Sequence, residues 1–167
     1  GHSAHELPFV GGFPWNEDRC ERFGVLAAER DITLSIHAPY FAILTSDDPE
    51  KAVHTRSALE HTMKLGRAMG ARVVVAHTGY VRGRRAEELH DLAVRSLEEI
   101  EPKVRHLGVA LGLETTGTER AFGTLGDIAL IAGEFGFVRP VIDWAHVHAM
   151  SGGGLTSAEA FESVIAF

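Results

Sequence analysis

Arg72-Val-Val-Val-Ala-His77 is an apolar run between two polar residues, and it decides the fold. A strand with apolar side chains at consecutive positions is covered on both faces, which is typical of a parallel sheet with helices packed outside it. We therefore predict a buried parallel strand that ends at His77.

Strand-like and helix-like segments alternate on both sides of this run. The sequence predicts further strands at 6–10, 33–37, 109–114 and 140–143, and helices at 16–30, 49–70, 86–107 and 125–135, with another helix after Ser157. Asp48 and Pro49 mark the start of the helix at 49–70, because aspartate as N-cap and proline at the first helical position are frequent at a helix N-terminus. This order predicts an α/β fold of about five parallel βα units with right-handed crossovers.

The composition is that of an ordinary globular domain. The 167 residues include 16 Lys and Arg and 23 Asp and Glu, which gives a net charge of −7. This balance argues against the broad cationic surface of non-specific nucleic-acid binders, but metal ions could supply positive charge locally. No apolar run approaches the ~20 residues of a membrane span, so no membrane partner is expected. The single cysteine, Cys20, excludes a disulfide framework and favours a reducing, cytoplasmic location.

Both ends of the sequence suggest a piece of a longer protein. Residues 1–3, Gly-His-Ser, resemble a tag scar, and Phe167 falls inside a predicted helix. We therefore interpret 1–167 as a single α/β domain that is a fragment of a longer barrel.

Four predicted strands end in a potential metal ligand: His37, His77, Glu114 and Asp143. The carboxyl ends of parallel strands meet at one face of an α/β fold, so these side chains are expected to converge. Mixed imidazole and carboxylate donors suit zinc or a similar divalent ion. A single histidine at a strand end is more often structural, but four such residues in register favour a metal site.

Other chemistries fit poorly. The Gly152-Gly-Gly154 loop lacks the Lys-Ser/Thr of a phosphate-binding P-loop, and no Gly-x-Ser-x-Gly nucleophile motif occurs. Arg82, Arg84 and Arg85 form a small basic cluster, which is either a solvated loop or a place where a phosphate arrives.

The motifs around the four ligands resemble those of the endonuclease IV family, in particular the subgroup common in archaea. They are His37-Ala-Pro-Tyr40, His77-Thr-Gly79, Leu113-Glu-Thr-Thr-Gly117 and Asp143-Trp-Ala-His146, in the family's order and spacing over residues 34–157. Members of this family are zinc-dependent apurinic/apyrimidinic endonucleases built on a (β/α)₈ TIM barrel of the xylose-isomerase-like superfamily. The resemblance therefore implies a partial TIM barrel, because a whole one needs about 250 residues.

The resemblance also implies roles for individual residues. His37, His77 and Glu114 would hold one zinc ion, and Glu114, the central catalytic ligand, would bridge to a second ion held by Asp143. His146 would serve a third ion, and Tyr40 would contact the DNA around the abasic nucleotide. The later ligands of the family have no counterpart here, so about one tightly bound zinc is expected.

The implied activity is hydrolysis of the phosphodiester 5′ to an abasic site in double-stranded DNA. Two alternatives stay open: a metal-dependent sugar isomerase or epimerase on a similar barrel, and a catalytically incomplete fragment. Self-association through the open sheet edges is also expected, because unpaired edges are available for pairing.

Overall fold

Five parallel strands in chain order form the centre of the structure, a computed structural model that describes residues 2–167. They are β1 (Ala4–Pro8), β2 (Thr33–His37), β3 (Val73–Ala76), β5 (Ala110–Glu114) and β7 (Val138–Val141). Each pairs in parallel with its neighbour in the order β1-β2-β3-β5-β7. The predicted α/β fold with parallel strands is therefore confirmed.

Helices cover one face of this sheet. They are α1 (Glu17–Ala28), α2 (Pro49–Met69), α3 (Ala86–Val104) and α4 (Leu125–Glu134), and α1 packs on α2, α2 on α3 and α3 on α4. The Asp48 side chain accepts hydrogen bonds from the backbone N–H groups of Glu50 and Lys51 at the start of α2. Gly70 ends the same helix in the left-handed conformation, at φ 71°.

The hydrophobic core lies between the sheet and these helices. Leu111 and Leu113 of β5 face the helices and are fully buried. Leu59 and Met63 of α2 are also fully buried. Each fully buried side chain of this kind contributes roughly 1.5–3 kcal/mol of hydrophobic stabilisation. Cys20 belongs to the same core.

Residues at alternate positions point to the opposite, inner face of the sheet. Gly112 occupies such a position on β5, where an added Cβ would lie 2.5 Å from Val141 and 2.8 Å from Val73. The two valines therefore approach each other across the glycine. They form an apolar contact on the inner face of the sheet, next to the strand end that carries Glu114.

Two short strands were not predicted from the sequence. β4 (Gly79–Tyr80) and β6 (Ala121–Phe122) follow β3 and β5 and pair with each other in antiparallel fashion. They form a small second sheet above the carboxyl ends of the main strands. Pairing of two residues across a long stretch of chain leaves no periodic signal in the sequence.

Helices α5 (Trp144–Met150) and α6 (Ala158–Ile165) complete the described chain. Helix α5 was not among the elements predicted from the sequence. The predicted strands at 6–10 and 140–143 lie two residues earlier in the structure, as β1 and β7. None of the helices in residues 2–167 combines the length and apolar character needed to cross a membrane.

Candidate metal centre

The structure brings His37, His77 and Glu114 together at the carboxyl ends of β2, β3 and β5. Glu114 Oε2 lies 3.3 Å from His37 Nε2 and 3.3 Å from His77 Nδ1. Their donor atoms all lie within 4.8 Å of one another. We call these three residues the histidine cluster.

Hydrogen bonding fixes the orientation of His37. Its Nδ1 lies 2.8 Å from the carbonyl oxygen of Ala38, which can only accept, so this nitrogen carries a proton. In the neutral ring, Nε2 then presents its lone pair to Glu114. Metal-binding histidines in proteins are commonly held in this way by a hydrogen bond at the other ring nitrogen.

A second group forms where β7 leads into α5. Glu114, Asp143 and His146 also place donor atoms within 4.8 Å of one another. His146 Nδ1 lies 3.7 Å from Asp143 Oδ2 and 4.0 Å from Glu114 Oε1. We call these residues the aspartate cluster; it shares Glu114 with the histidine cluster but uses its other oxygen.

Local backbone structure positions the aspartate cluster. Asp143 is the N-cap of α5, and its Oδ1 accepts a hydrogen bond from the His146 N–H at 2.9 Å. Oδ2 is not used in this cap. The Thr115 hydroxyl accepts a hydrogen bond from the Asp143 N–H at 3.0 Å, and the Thr115 carbonyl lies 2.8 Å from His146 Nδ1. Thr115 therefore ties the Asp143 backbone and the His146 side chain to the end of β5.

Gly117 makes room for His146. A Cβ on Gly117 would lie 2.6 Å from Cδ2 of the His146 ring, closer than van der Waals contact allows. The glycine in the Leu113-Glu-Thr-Thr-Gly117 motif is thus required by the position of this imidazole.

The pKa values of the two histidines in the histidine cluster move in opposite directions. Burial alone would lower the pKa of His37, but the hydrogen bonds with Glu114 and the Ala38 carbonyl, together with the Glu114 charge, outweigh it and raise the pKa. Burial lowers the pKa of His77, although the charge of Glu114 opposes this effect. His77 is therefore the more easily kept neutral of the two, as ligation requires.

Asp143 stays ionised over a wide range of pH. Burial alone would raise the pKa of this carboxyl group, but the backbone N–H groups of His146 and Ala145 and the nearby His146 side chain together lower it. An ionised carboxylate is the form that binds a metal ion.

The donor set fits divalent metal ions. Two imidazole nitrogens and one carboxylate oxygen converge in the histidine cluster, and carboxylate and imidazole groups converge in the aspartate cluster. With neutral imidazoles, the histidine cluster places an imidazole lone pair of His37 opposite the Glu114 carboxylate, an arrangement that a cation stabilises. Nitrogen and oxygen donors of this kind are those that zinc accepts.

A groove of about 700 Å³ opens above these residues. Tyr40 lines it, and its side chain is exposed. The Tyr40 ring centroid lies 5.4 Å from that of His37 and 5.7 Å from that of His77. The groove also contains Glu6 and Tyr80, which the sequence analysis did not identify.

The remaining histidines lie outside both clusters. His148 is exposed on α5, and His54, His61 and His106 are exposed on helical segments. His90 is half-buried, and its Nε2 lies 2.8 Å from a Glu134 oxygen on α4.

Comparison with known proteins identifies the family. The sequence model of the xylose isomerase-like TIM barrel matches residues 1–167. An uncharacterized protein of Methanocaldococcus jannaschii is 28% identical over 164 residues, which cover 97% of this chain and 59% of that protein.

Solved structures show the same architecture. D-psicose 3-epimerase with D-tagatose, from Clostridium cellulolyticum H10, matches with a TM-score of 0.79 at 13% identity over 100% of this chain and 61% of its own. The IolI protein with a zinc atom matches with a TM-score of 0.77 at 18% identity over 97% of this chain and 59% of its own. The chain thus spans about three fifths of the length of these proteins. It belongs to the xylose isomerase-like TIM barrel family.

Proposed function

We propose that the whole protein is a zinc-dependent endonuclease of DNA repair that hydrolyses the phosphodiester 5′ to an abasic site. The observation that supports this most is the position of Glu114. One of its oxygens faces His37 and His77, and the other faces His146 in the aspartate cluster. This carboxylate is placed to bridge two ions, the arrangement expected for phosphodiester hydrolysis.

The histidine cluster would hold one zinc ion tightly, because its three donors come from ordered strand ends. Asp143 and His146 would contribute to further ions together with Glu114. When bound, such ions supply positive charge that neutralises the phosphodiester and activates water for attack. That charge would compensate for the net acidity of the chain.

The protein side chains have their own tasks in this proposal. Glu114 fixes the distance between the two clusters, and the hydrogen bond from His37 to Ala38 fixes one ring toward it. Thr115 holds Asp143 and His146 in register with Glu114. Tyr40, exposed beside both histidine rings, would contact the DNA at the abasic nucleotide.

A metal-dependent sugar epimerase is the second candidate, favoured by the similarity of the fold to D-psicose 3-epimerase. A single metal ion at Glu114 and Asp143 would suit that chemistry. His37 and His77 would then not be ligands. The two functions therefore make opposite demands on the histidine cluster.

An assay of the complete gene product separates the candidates. We expect the zinc-loaded protein to cut an end-labelled duplex with one abasic site, leaving the 5′ fragment with a 3′-hydroxyl, and to leave a panel of ketoses unchanged. The His77→Ala variant should lose cleavage, whereas His90→Ala, a histidine outside both clusters, should retain it. Turnover of a ketose that persists in His77→Ala would establish the epimerase instead.

A further inference from the structure

Tyr80 stands between two cavities at the carboxyl end of the sheet. It lines the groove that contains the histidine and aspartate clusters. It also lines a cavity of about 620 Å³, whose other lining residues include Phe41, Lys51, Arg82 and Arg84. The side chain is 47% exposed. An aromatic ring at this position is accessible to a ligand that extends out of the metal groove.

The backbone of Tyr80 is held firmly although it follows the end of β3. Tyr80 pairs with Ala121 in the small β4–β6 sheet, and the next residue, Val81, donates a backbone hydrogen bond to Arg120 at 2.9 Å. The Thr78 hydroxyl donates to the Phe122 carbonyl. Gly79 adopts a φ of +141°, and any Cβ there would overlap the Thr45 hydroxyl. The ring therefore sits on a rigid support.

The Arg82 guanidinium lies over the Tyr80 ring. Its guanidinium carbon lies 5.8 Å from the ring centroid, within the range of a cation–π contact. Arg82 adopts a left-handed backbone conformation, with φ 46°, which is strained for a residue with a side chain. Nearby Arg84 pairs with Asp47 and Lys51 with Asp48, whereas Arg82 forms no ion pair within residues 2–167.

We propose that Tyr80 and Arg82 form a nucleotide-binding platform. The Tyr80 ring stacks on a base next to the cleaved phosphodiester, and the Arg82 guanidinium contacts the phosphate that follows. Stacking on an aromatic ring accepts any base, because every base has a π-face. This inference rests on the proposed nuclease function, since it requires DNA in the metal groove.

Equilibrium binding tests the platform without relying on turnover. The probe is a fluorescent duplex with one abasic site, a phosphorothioate at the 5′ linkage to slow cleavage, and 2-aminopurine as the neighbouring base. Tyr80→Ala should raise the Kd about 5- to 150-fold, as expected for loss of one stacked base. Tyr80→Phe should bind within about twofold of the original protein, because the π-face is retained.

Two further readouts distinguish stacking from a structural role. Tyr80→Ala should restore 2-aminopurine fluorescence that the original protein quenches, with unchanged zinc content. Arg82→Gln should weaken binding and reduce the slope of log Kd against log salt by about one. Phe167→Ala, an exposed aromatic outside the groove, serves as the matched control and should change neither Kd nor fluorescence.

The outcomes separate this inference from the proposed function. If the original protein binds the abasic duplex and Tyr80→Ala binds it equally well, the platform is wrong and the nuclease proposal stands. If the original protein does not bind the duplex at all, the nuclease proposal and the platform both fail.

Discussion

The histidine cluster and the aspartate cluster share one carboxylate but are built differently. His37 and Glu114 are buried, and the three residues of the histidine cluster lie at or just after the ends of three paired strands. Asp143 and His146 are only partly buried and belong to the first turn of the short helix α5. Their positions depend on an N-cap and on hydrogen bonds to Thr115.

This difference predicts an order of metal affinity. Strand ends within a sheet are spaced by the backbone hydrogen-bond ladder, so little conformational entropy is lost when an ion binds there. A seven-residue helix with no buried residue is easier to displace. We therefore expect the histidine cluster to bind zinc more tightly than the aspartate cluster.

Glu114→Gln should have the largest effect, because it removes the shared charge from both clusters. We expect zinc affinity to fall by more than the ~10–100-fold that follows loss of a hydrogen-bond partner to a metal ligand. Calorimetric titration of zinc measures this change, with circular dichroism to confirm the fold. Retention of either binding step at its original affinity would contradict the shared role of Glu114.

His77→Ala should remove the tight binding step and leave the aspartate cluster intact. The ring supplies one of three donors to the histidine cluster, and the nearest Glu114 oxygen would lose this neighbour. Zinc content per chain after dialysis should drop from about one to near zero. The matched variant His90→Ala should keep the zinc, and equal loss in both variants would argue against the histidine cluster as the tight site.

Asp143→Asn should affect the weaker step alone. Asparagine caps a helix about as well as aspartate, so α5 should keep its N-terminus while the negative charge is lost. We expect the weak step to decrease about 10-fold or more and the tight step to change by less than about twofold. A titration in which the tight step weakens instead would reverse the assignment of the two clusters.

Lower pH should weaken zinc binding gradually. Protons compete with zinc for the imidazoles, and the raised pKa of His37 makes this competition begin at a higher pH than for an ordinary histidine. Without metal, the raised pKa of His37 favours the fold at low pH and the lowered pKa of His77 disfavours it, so these contributions oppose each other. The increase in Tm caused by zinc should therefore shrink as pH falls from about 8 to 5.5. A constant increase over this range would contradict ligation by histidine.

The convergence of the strand-end residues was predictable from the sequence because periodicity locates strands and parallel topology places their ends together. His37, His77 and Glu114 needed no further information. Helix α5 was missed because its seven residues carry no buried apolar stripe, although Asp143 was available as an N-cap signal.

Glu6 and Tyr80 could not be identified from the sequence. Glu6 lies on β1, where its carboxylate accepts a hydrogen bond from Ser35 on β2, and its proximity to His37 depends on the register of the two strands. Tyr80 reaches the groove through the β4–β6 pairing, which joins segments about 40 residues apart in the chain. Both placements are long-range properties that local patterns do not encode.

Gly112 has a consequence for the electrostatics of the strand ends. By letting the side chains of Val141 and Val73 approach each other, it places hydrocarbon on the inner face of the sheet beside the Glu114 carboxylate. Hydrocarbon screens charge less than water does, so this wall focuses the field of the carboxylates toward the open mouth of the groove. Cations, or a substrate that arrives with them, are drawn to the site from that one direction.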